Sequence, residues 1–271
     1  MQGRPRVRAT MEVLDRQGPG FDSRMMDISQ ILLAAAGVGL GGFLKGATGA
    51  GTPIVGVPVL TLVLGLPEAV AIFSVLNLVT NIWQAWQYRS AVAEPRLARD
   101  FALAGGAGAL VGSLLLAALP VSALTAGLAV VVFLYIGLRL ARPDWVLGRA
   151  LAARWAWLAG AAGGVMQGAG GLSAPASITF LSAMRMPRPE FIGTISVFFV
   201  AMSVVQVPTL LGLGLLDAHL AGLAVLALGP VVAAMPVGAW VARRIPQRWF
   251  DRAILILLAA IALRLLWKAL A

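Results

Sequence analysis

The sequence predicts an all-α polytopic membrane protein built from two inverted-topology repeats of five helical segments each, the first pair of each repeat broken or hairpin-like. Three observations carry that prediction. Apolar residues make up 60% of the 271 positions and charged ones 12%, too little charged surface for a soluble chain of this length. Runs such as Ile28–Lys45, Phe101–Leu119 and Ala221–Val241 are long enough to cross a hydrocarbon core of about 30 Å as helices. Two glycine-rich stretches, Gly42–Pro53 and Gly164–Pro175, fall on one another without a gap at an offset of 122 residues.

Other classes fail on composition. The ten-residue alternation of an outer-membrane barrel is missing, which leaves helices as the spanning element. With no cysteine and a single histidine, His219, disulfides, iron–sulfur clusters, thiol catalysis and a histidine-based metal site are not expected, and no cofactor is. The net charge of +10 reads as orientation signal rather than a nucleic-acid face, because most arginines stand in short loops between spans.

Taken in order, residues 1–25 carry arginine, proline and glycine without an apolar run, so they read as a disordered tail or a misplaced start and not as a signal peptide. Helical segments are predicted at 28–46, 49–66, 70–88, 100–118, 122–140, 154–168, 172–186, 191–213, 219–241 and 250–269. Stops come at Gly65-Leu66-Pro67-Glu68, Pro95, Pro120, Arg142-Pro143-Asp144, Pro187-Arg188-Pro189-Glu190 and Pro246. Segments 154–168 and 172–186 are short for full spans. Residues 26–146 form the N-terminal repeat and 147–271 the C-terminal one.

The repeat rests on a count. Between 42–84 and 164–206 there are ten identities in 43 positions, including Gly46 with Gly168, Gly49 with Gly171, Pro67-Glu68 with Pro189-Glu190, and Gln84 with Gln206. Farther on, Val111-Gly112 and Pro120 match Val237-Gly238 and Pro246 at an offset of 126. Five segments per half is an odd number, so tandem repeats must be inverted in the membrane. The loop charges agree. Arg89, Arg96 and Arg99, then Arg139 to Arg154, then Arg185 and Arg188, then Arg243 to Arg252, all fall on one side. The loops at 119–122 and 214–218 have no lysine or arginine, which marks the opposite, outer side. Residue 26 then lies outside, against the arginines of the tail.

The breaks are where chemistry is expected. Gly46, Gly49 and Gly51 resist a helix interior and Pro53 lacks a donor, so one helix should stop near Lys45 and another restart with Thr52 as its cap. The restart directs free N–H groups and a positive dipole end at the gap, a place for an anion. The second break repeats this at Gly168, Gly170 and Gly171, with Ser173 offering a hydroxyl and Pro175 restarting the helix. Two such breaks are expected to face each other at the midplane. The rival reading is close packing, since Gly42-x-x-x-Gly46 and Gly164-x-x-x-Gly168 fit small-residue helix contacts.

Lys45 has two readings: a fixed charge for an anion, or a side chain that snorkels to the interface, because a lysine deep in lipid costs about 2.5–3.5 kcal/mol. Its counterpart Gln167 is neutral. Asn77, Asn81 and Gln84 share one helix face, and Ser196, Ser203 and Gln206 share one on the matching helix; these stripes line a pathway or bond helix to helix. Glu68 and Glu190 read as first-turn carboxylates complementing the dipole. Candidate anion-binding residues are therefore Lys45, Gly46, Thr48, Gly49, Thr52, Asn77, Asn81, Gln84, Gln167, Gly168, Gly170, Gly171, Ser173, Ser196 and Gln206.

At Gly42-Phe43-Leu44-Lys45-Gly46-Ala47-Thr48-Gly49-Ala50-Gly51, at its copy Gly164–Pro175 and at Pro67-Glu68-Ala69-Val70-Ala71 the sequence resembles the TauE/SafE sulfite exporter family, and the resemblance runs from residue 28 to the end. It implies a secondary transporter that moves sulfite, a sulfonate or a sulfoacetate-like anion across a bacterial plasma membrane, multi-pass, with no enzyme activity. Ala50 and Thr52 stand where the family often has other residues, so the choice of anion is not carried over. A channel, or an importer of another small organic anion, is a near alternative, and a non-transporting membrane subunit a more distant one. An intramembrane enzyme is disfavoured, since the breaks hold no paired acids and no nucleophile with a base. The expected partners are a small anionic substrate and the lipid bilayer, with a homo-oligomer left open and nucleic acid excluded.

Overall fold

The protein is seen in a computed structural model that describes residues 27–141, 146–244 and 247–270. The expected tail at 1–25 and the stops at Arg142-Pro143-Asp144 and Pro246 lie outside the described residues. Among the described residues there are ten α-helices and no strand: α1 Ile28–Thr48, α2 Thr52–Val63, α3 Leu66–Gln87, α4 Pro95–Ala118, α5 Val121–Ala141, α6 Arg149–Gly170, α7 Ser177–Ala183, α8 Arg188–Gly212, α9 Ala218–Ala242 and α10 Gln247–Leu270. Each predicted segment has its helix. Six of them (α1, α3, α4, α5, α8 and α9) are long and apolar enough to cross a membrane, and the chain is a multi-pass membrane protein.

The prediction for 154–168 needs correction, whereas the helix of 172–186 is too short for a span, as expected. α6 extends from Arg149 to Gly170, 22 residues, because its arginine-bearing first turns continue the helix past the apolar run. α7 has only seven residues and α2 twelve. At about 1.5 Å per residue neither can span the core, so each folds back beside its predecessor as a short hairpin arm.

Packing runs between the halves of the chain. α1 lies against α9, α4 against both α6 and α8, α3 against α8, and α5 against α10. Glycine sets the two closest crossings. A Cβ at Gly42 would run into the Val231 carbonyl oxygen, and one at Gly46 into the Met235 oxygen, so α1 and α9 touch backbone to backbone. On α6, Cβ atoms at Gly164 and Gly168 would run into the carbonyl oxygens of Gly105 and Ala109. Val231 and Met235 follow Gly105 and Ala109 by 126 residues, the offset of the second sequence block. The small-residue packing reading therefore holds for Gly42, Gly46, Gly164 and Gly168.

One end of the molecule gathers Arg139, Arg149, Arg185, Arg188 and Arg243. Arg149 pairs with Glu94 at 2.6 Å and with the buried Glu190 at 3.5 Å, joining the starts of α4, α6 and α8. Arg188 donates through Nη2 to the Gly46 and Ala47 carbonyl oxygens, each at 3.1 Å, at the end of α1. Arg139, Arg185 and Arg188 line one cavity and Arg188 and Arg243 another. α1, α3, α5 and α9 thus end where α4, α6 and α8 begin. Glu68 and Glu190 sit in the first turns of α3 and α8, as expected.

Candidate functional site

The first break is built from a left-handed glycine. α1 continues through Lys45 and Gly46 to Thr48, and Gly49 then turns the chain at φ 87° while its N–H donates to the Lys45 carbonyl oxygen at 2.7 Å. A left-handed backbone is open to glycine at no steric cost. The helix expected to stop near Lys45 ends three residues on, at Thr48, and holds Gly46 inside it where the Met235 carbonyl oxygen leaves no room for a side chain. Nor is Thr52 the cap of α2. Gly51 occupies that position, and Thr52 is the first helical residue, fully buried with its hydroxyl unpartnered.

The second break repeats the turn. Gly171 has φ 68° and its N–H donates to the Gln167 carbonyl oxygen, also at 2.7 Å. Beyond Gly171 the two breaks diverge. The Ser173 carbonyl oxygen accepts from the N–H groups of Ala176 and Ser177 and from the Ser177 hydroxyl, closing a turn around Pro175. The helix restarts at Ser177, not at Pro175, and the Ser173 hydroxyl faces Ser177 Oγ at 3.0 Å.

Lys45 does not snorkel. It is 1% exposed, and its ammonium donates to Asn81 Oδ1 on α3 at 2.8 Å. Asn81 in turn donates through Nδ2 to the Asn77 carbonyl oxygen at 2.8 Å, which fixes the amide so that its oxygen faces the lysine. Beside this pair opens a cavity of about 620 Å³ between α1, α3, α8 and α9 at the arginine end. Lys45, Gly46, Gly49, Thr80, Gln84 and Gln87 contribute to its wall, with Arg188 and Arg243 beside them. Val79, Trp83, Tyr88, Val232, Met235 and Pro236 supply apolar and aromatic surface. Among the described residues no carboxylate lines it.

Of the predicted residues, then, Lys45, Gly46, Gly49 and Gln84 share this cavity and Asn81 anchors the lysine. Thr48 lies across the break in a separate cavity of about 420 Å³ with Arg139, Arg185 and Arg188, its hydroxyl bonded to the Leu44 carbonyl oxygen. Gln167, Gly168, Gly170, Gly171 and Ser173 reach neither. Gly171 packs against Val57 and Val70, while Gly49 packs against Ile192 at the start of α8. The two breaks thus have different neighbours, and α1 and α6 run 21 and 22 residues before they turn.

The polar stripes of α3 and α8 are buried throughout. Thr52, Asn77, Gln84, Gln167, Ser196 and Gln206 each keep at least one buried side-chain oxygen or nitrogen without a partner. Buried polar atoms are ordinarily satisfied, and apart from Thr52 on α2 these lie along α3, α6 and α8. Arg188 and Arg243 were legible in sequence only as orientation charges. They stand 143 and 198 residues after Lys45, and nothing local to them signals a shared cavity.

No curated protein and no solved structure matches the chain. The family model described as sulfite exporter TauE/SafE matches residues 33–265. That span takes in both breaks, Lys45 with Asn81, and all three basic side chains of the cavity, and the chain belongs to the sulfite exporter TauE/SafE family of membrane transporters.

Proposed function

We propose that the protein is a secondary transporter that carries a small sulfur-containing oxyanion, such as sulfite, a sulfonate or a sulfoacetate-like anion, out across the bacterial plasma membrane. The observation that carries this reading is the cavity of about 620 Å³ with Lys45, Arg188 and Arg243 in its wall and no carboxylate among the described lining residues. Cations gathered in a low-dielectric cleft attract anions and raise their local concentration. Lys45 supplies charge at the wall, Thr80 and Gln84 hydrogen bonds beside it, and Arg188 and Arg243 the attractive approach. The volume suits an organic anion whose apolar part lies against Trp83, Tyr88 and Met235, which favours a sulfonate over bare sulfite.

Inverted repeats are part of the same reading. α1 runs toward the arginine end and α6 away from it, and the interlocks of α1 with α9 and of α6 with α4 use residues at matching offsets. These relations support two five-helix units, 26–146 and 147–271, turned over in the membrane. By the positive-inside rule the arginine end is cytoplasmic. The cavity then opens to the cytoplasm, and an inside-negative potential assists an anion on its way out by about 2.3 kcal/mol per charge per 100 mV.

Calorimetric titration of purified protein with sulfoacetate, sulfite, sulfate and chloride tests the site. Binding of sulfoacetate or sulfite is expected, weakened by Arg243→Ala and abolished by Lys45→Ala in protein that still folds. Binding of no oxyanion, or equal binding in the Lys45→Ala variant, would overturn the assignment.

A further inference from the structure

The inner and outer halves of the molecule differ along one pair of helix surfaces. On the outer half α4 is sealed onto α8. A Cβ at Gly105 would run into the Phe198 ring, and one at Gly106 would stand 3.3 Å from the Ala201 carbonyl oxygen and 3.4 Å from Val205 Cγ2. The residues at matching offsets on the inner half are Val232 on α9 for Gly106, and Val79 and Trp83 on α3 for Ala201 and Val205. Those three line the open cavity. The same pair of surfaces is therefore closed on one side and parted on the other.

Behind the closed seam stand the counterparts of the cavity's polar wall. Gln167 corresponds to Lys45, Gln206 to Gln84 and Ser203 to Asn81. All three are at most 2% exposed, and the side-chain oxygens of Gln167 and Gln206 have no partner. Gln206 Nε2 reaches only the Gln167 backbone oxygen, at 3.5 Å, the limit of a hydrogen bond. Two amides with unspent hydrogen-bonding capacity are thus held together in a buried place, where such groups are costly unless something else occupies them.

We propose that Gln167, Ser203 and Gln206 form a second, outer binding site for the same small anion, which opens when α4 parts from α8 along Gly106, Ala201 and Val205. It rests on the reading of the chain as an anion transporter with inverted repeats. The outer site offers neutral amide and hydroxyl donors where the inner one offers an ammonium. The anion passes from a charged site to an uncharged one, which suits release.

The chain has no cysteine of its own, so engineered thiols report cleanly. A Cβ at Gly106 would stand 3.4 Å from Val205 Cγ2, so a Gly106→Cys, Val205→Cys pair is expected to bridge, a disulfide needing about 3.5–4.5 Å between Cβ atoms, and to lock the seam. Oxidised protein is expected to bind sulfoacetate as the parent does, from the cytoplasmic side, while flux in proteoliposomes falls at least about tenfold and returns on reduction. Separately, Ser203→Cys, buried here, is expected to react with an impermeant maleimide from the outer side. Full flux through a quantitatively locked seam, or labelling of Ser203→Cys from the inner side alone or from neither, would overturn the outer site. Loss of both binding and flux in the unlocked parent would instead overturn the transport reading on which it rests.

Discussion

The Lys45 ammonium and the Asn81 side-chain oxygen lie 2.8 Å apart inside the protein, joining α1 to α3 beside the cavity. An ammonium in that position depends on its acceptor. Asn81→Leu is expected to lower stability by roughly 1–3 kcal/mol, since it leaves a charged donor buried and unsatisfied. Adding Lys45→Met should recover most of that loss, because the unpaired charge is then gone. Thermal unfolding of the four proteins in detergent measures the coupling, and simple additivity would contradict the pairing.

The interlocks of α1 with α9 and α6 with α4 predict matched sensitivity. Gly46→Ala and Gly168→Ala put a methyl into the Met235 and Ala109 carbonyl oxygens and should each cost about 1–3 kcal/mol. Gly127→Ala and Gly137→Ala on α5 meet nothing within 4 Å and should be neutral or stabilising, by up to about 1 kcal/mol. Melting curves that fail to separate the two pairs would count against the backbone contact.

Gly49 and Gly171 are expected to resist substitution for a different reason. Alanine at their left-handed angles costs about 1–2 kcal/mol in backbone energy alone. Gly49→Ala should be the worse of the two, because its methyl would stand 2.5 Å from Ile192 Cγ1 against 3.0 Å from Val57 Cγ1 at Gly171. Expression and melting temperature of the two variants compare them directly.

Much of the fold was legible because glycine and proline punctuate it: all ten segments, their order and the matching of Gly49 with Gly171 come from spacing alone. The details at the breaks were not. Gly46 reads as a helix breaker until Met235, 189 residues away, is found occupying its missing side chain. Thr52 has the chemistry of a cap, but Gly51 takes that position and leaves the hydroxyl without a partner. Pro175 copies Pro53 in sequence, yet the turn closed by the Ser173 carbonyl delays its helix to Ser177. Lys45 could be singled out as costly, whereas its rescue by Asn81 and the approach of Arg188 and Arg243 depend on contacts that no local pattern encodes.

Orientation has its own check. Cysteine at Asp217, beyond α8, should label from outside intact cells, and cysteine at Ala91, in the turn before α4, should not. The reverse pattern would turn the cavity toward the exterior.

Flux into proteoliposomes tests the central claim most directly. With the cytoplasmic face presented to the anion, sulfoacetate or sulfite should move through the parent and not through Lys45→Ala. Sulfate and chloride should lag, and an imposed potential, negative on the cytoplasmic side, should speed transfer to the outer side. Absence of flux for every anion, or flux indifferent to Lys45→Ala, would contradict the account.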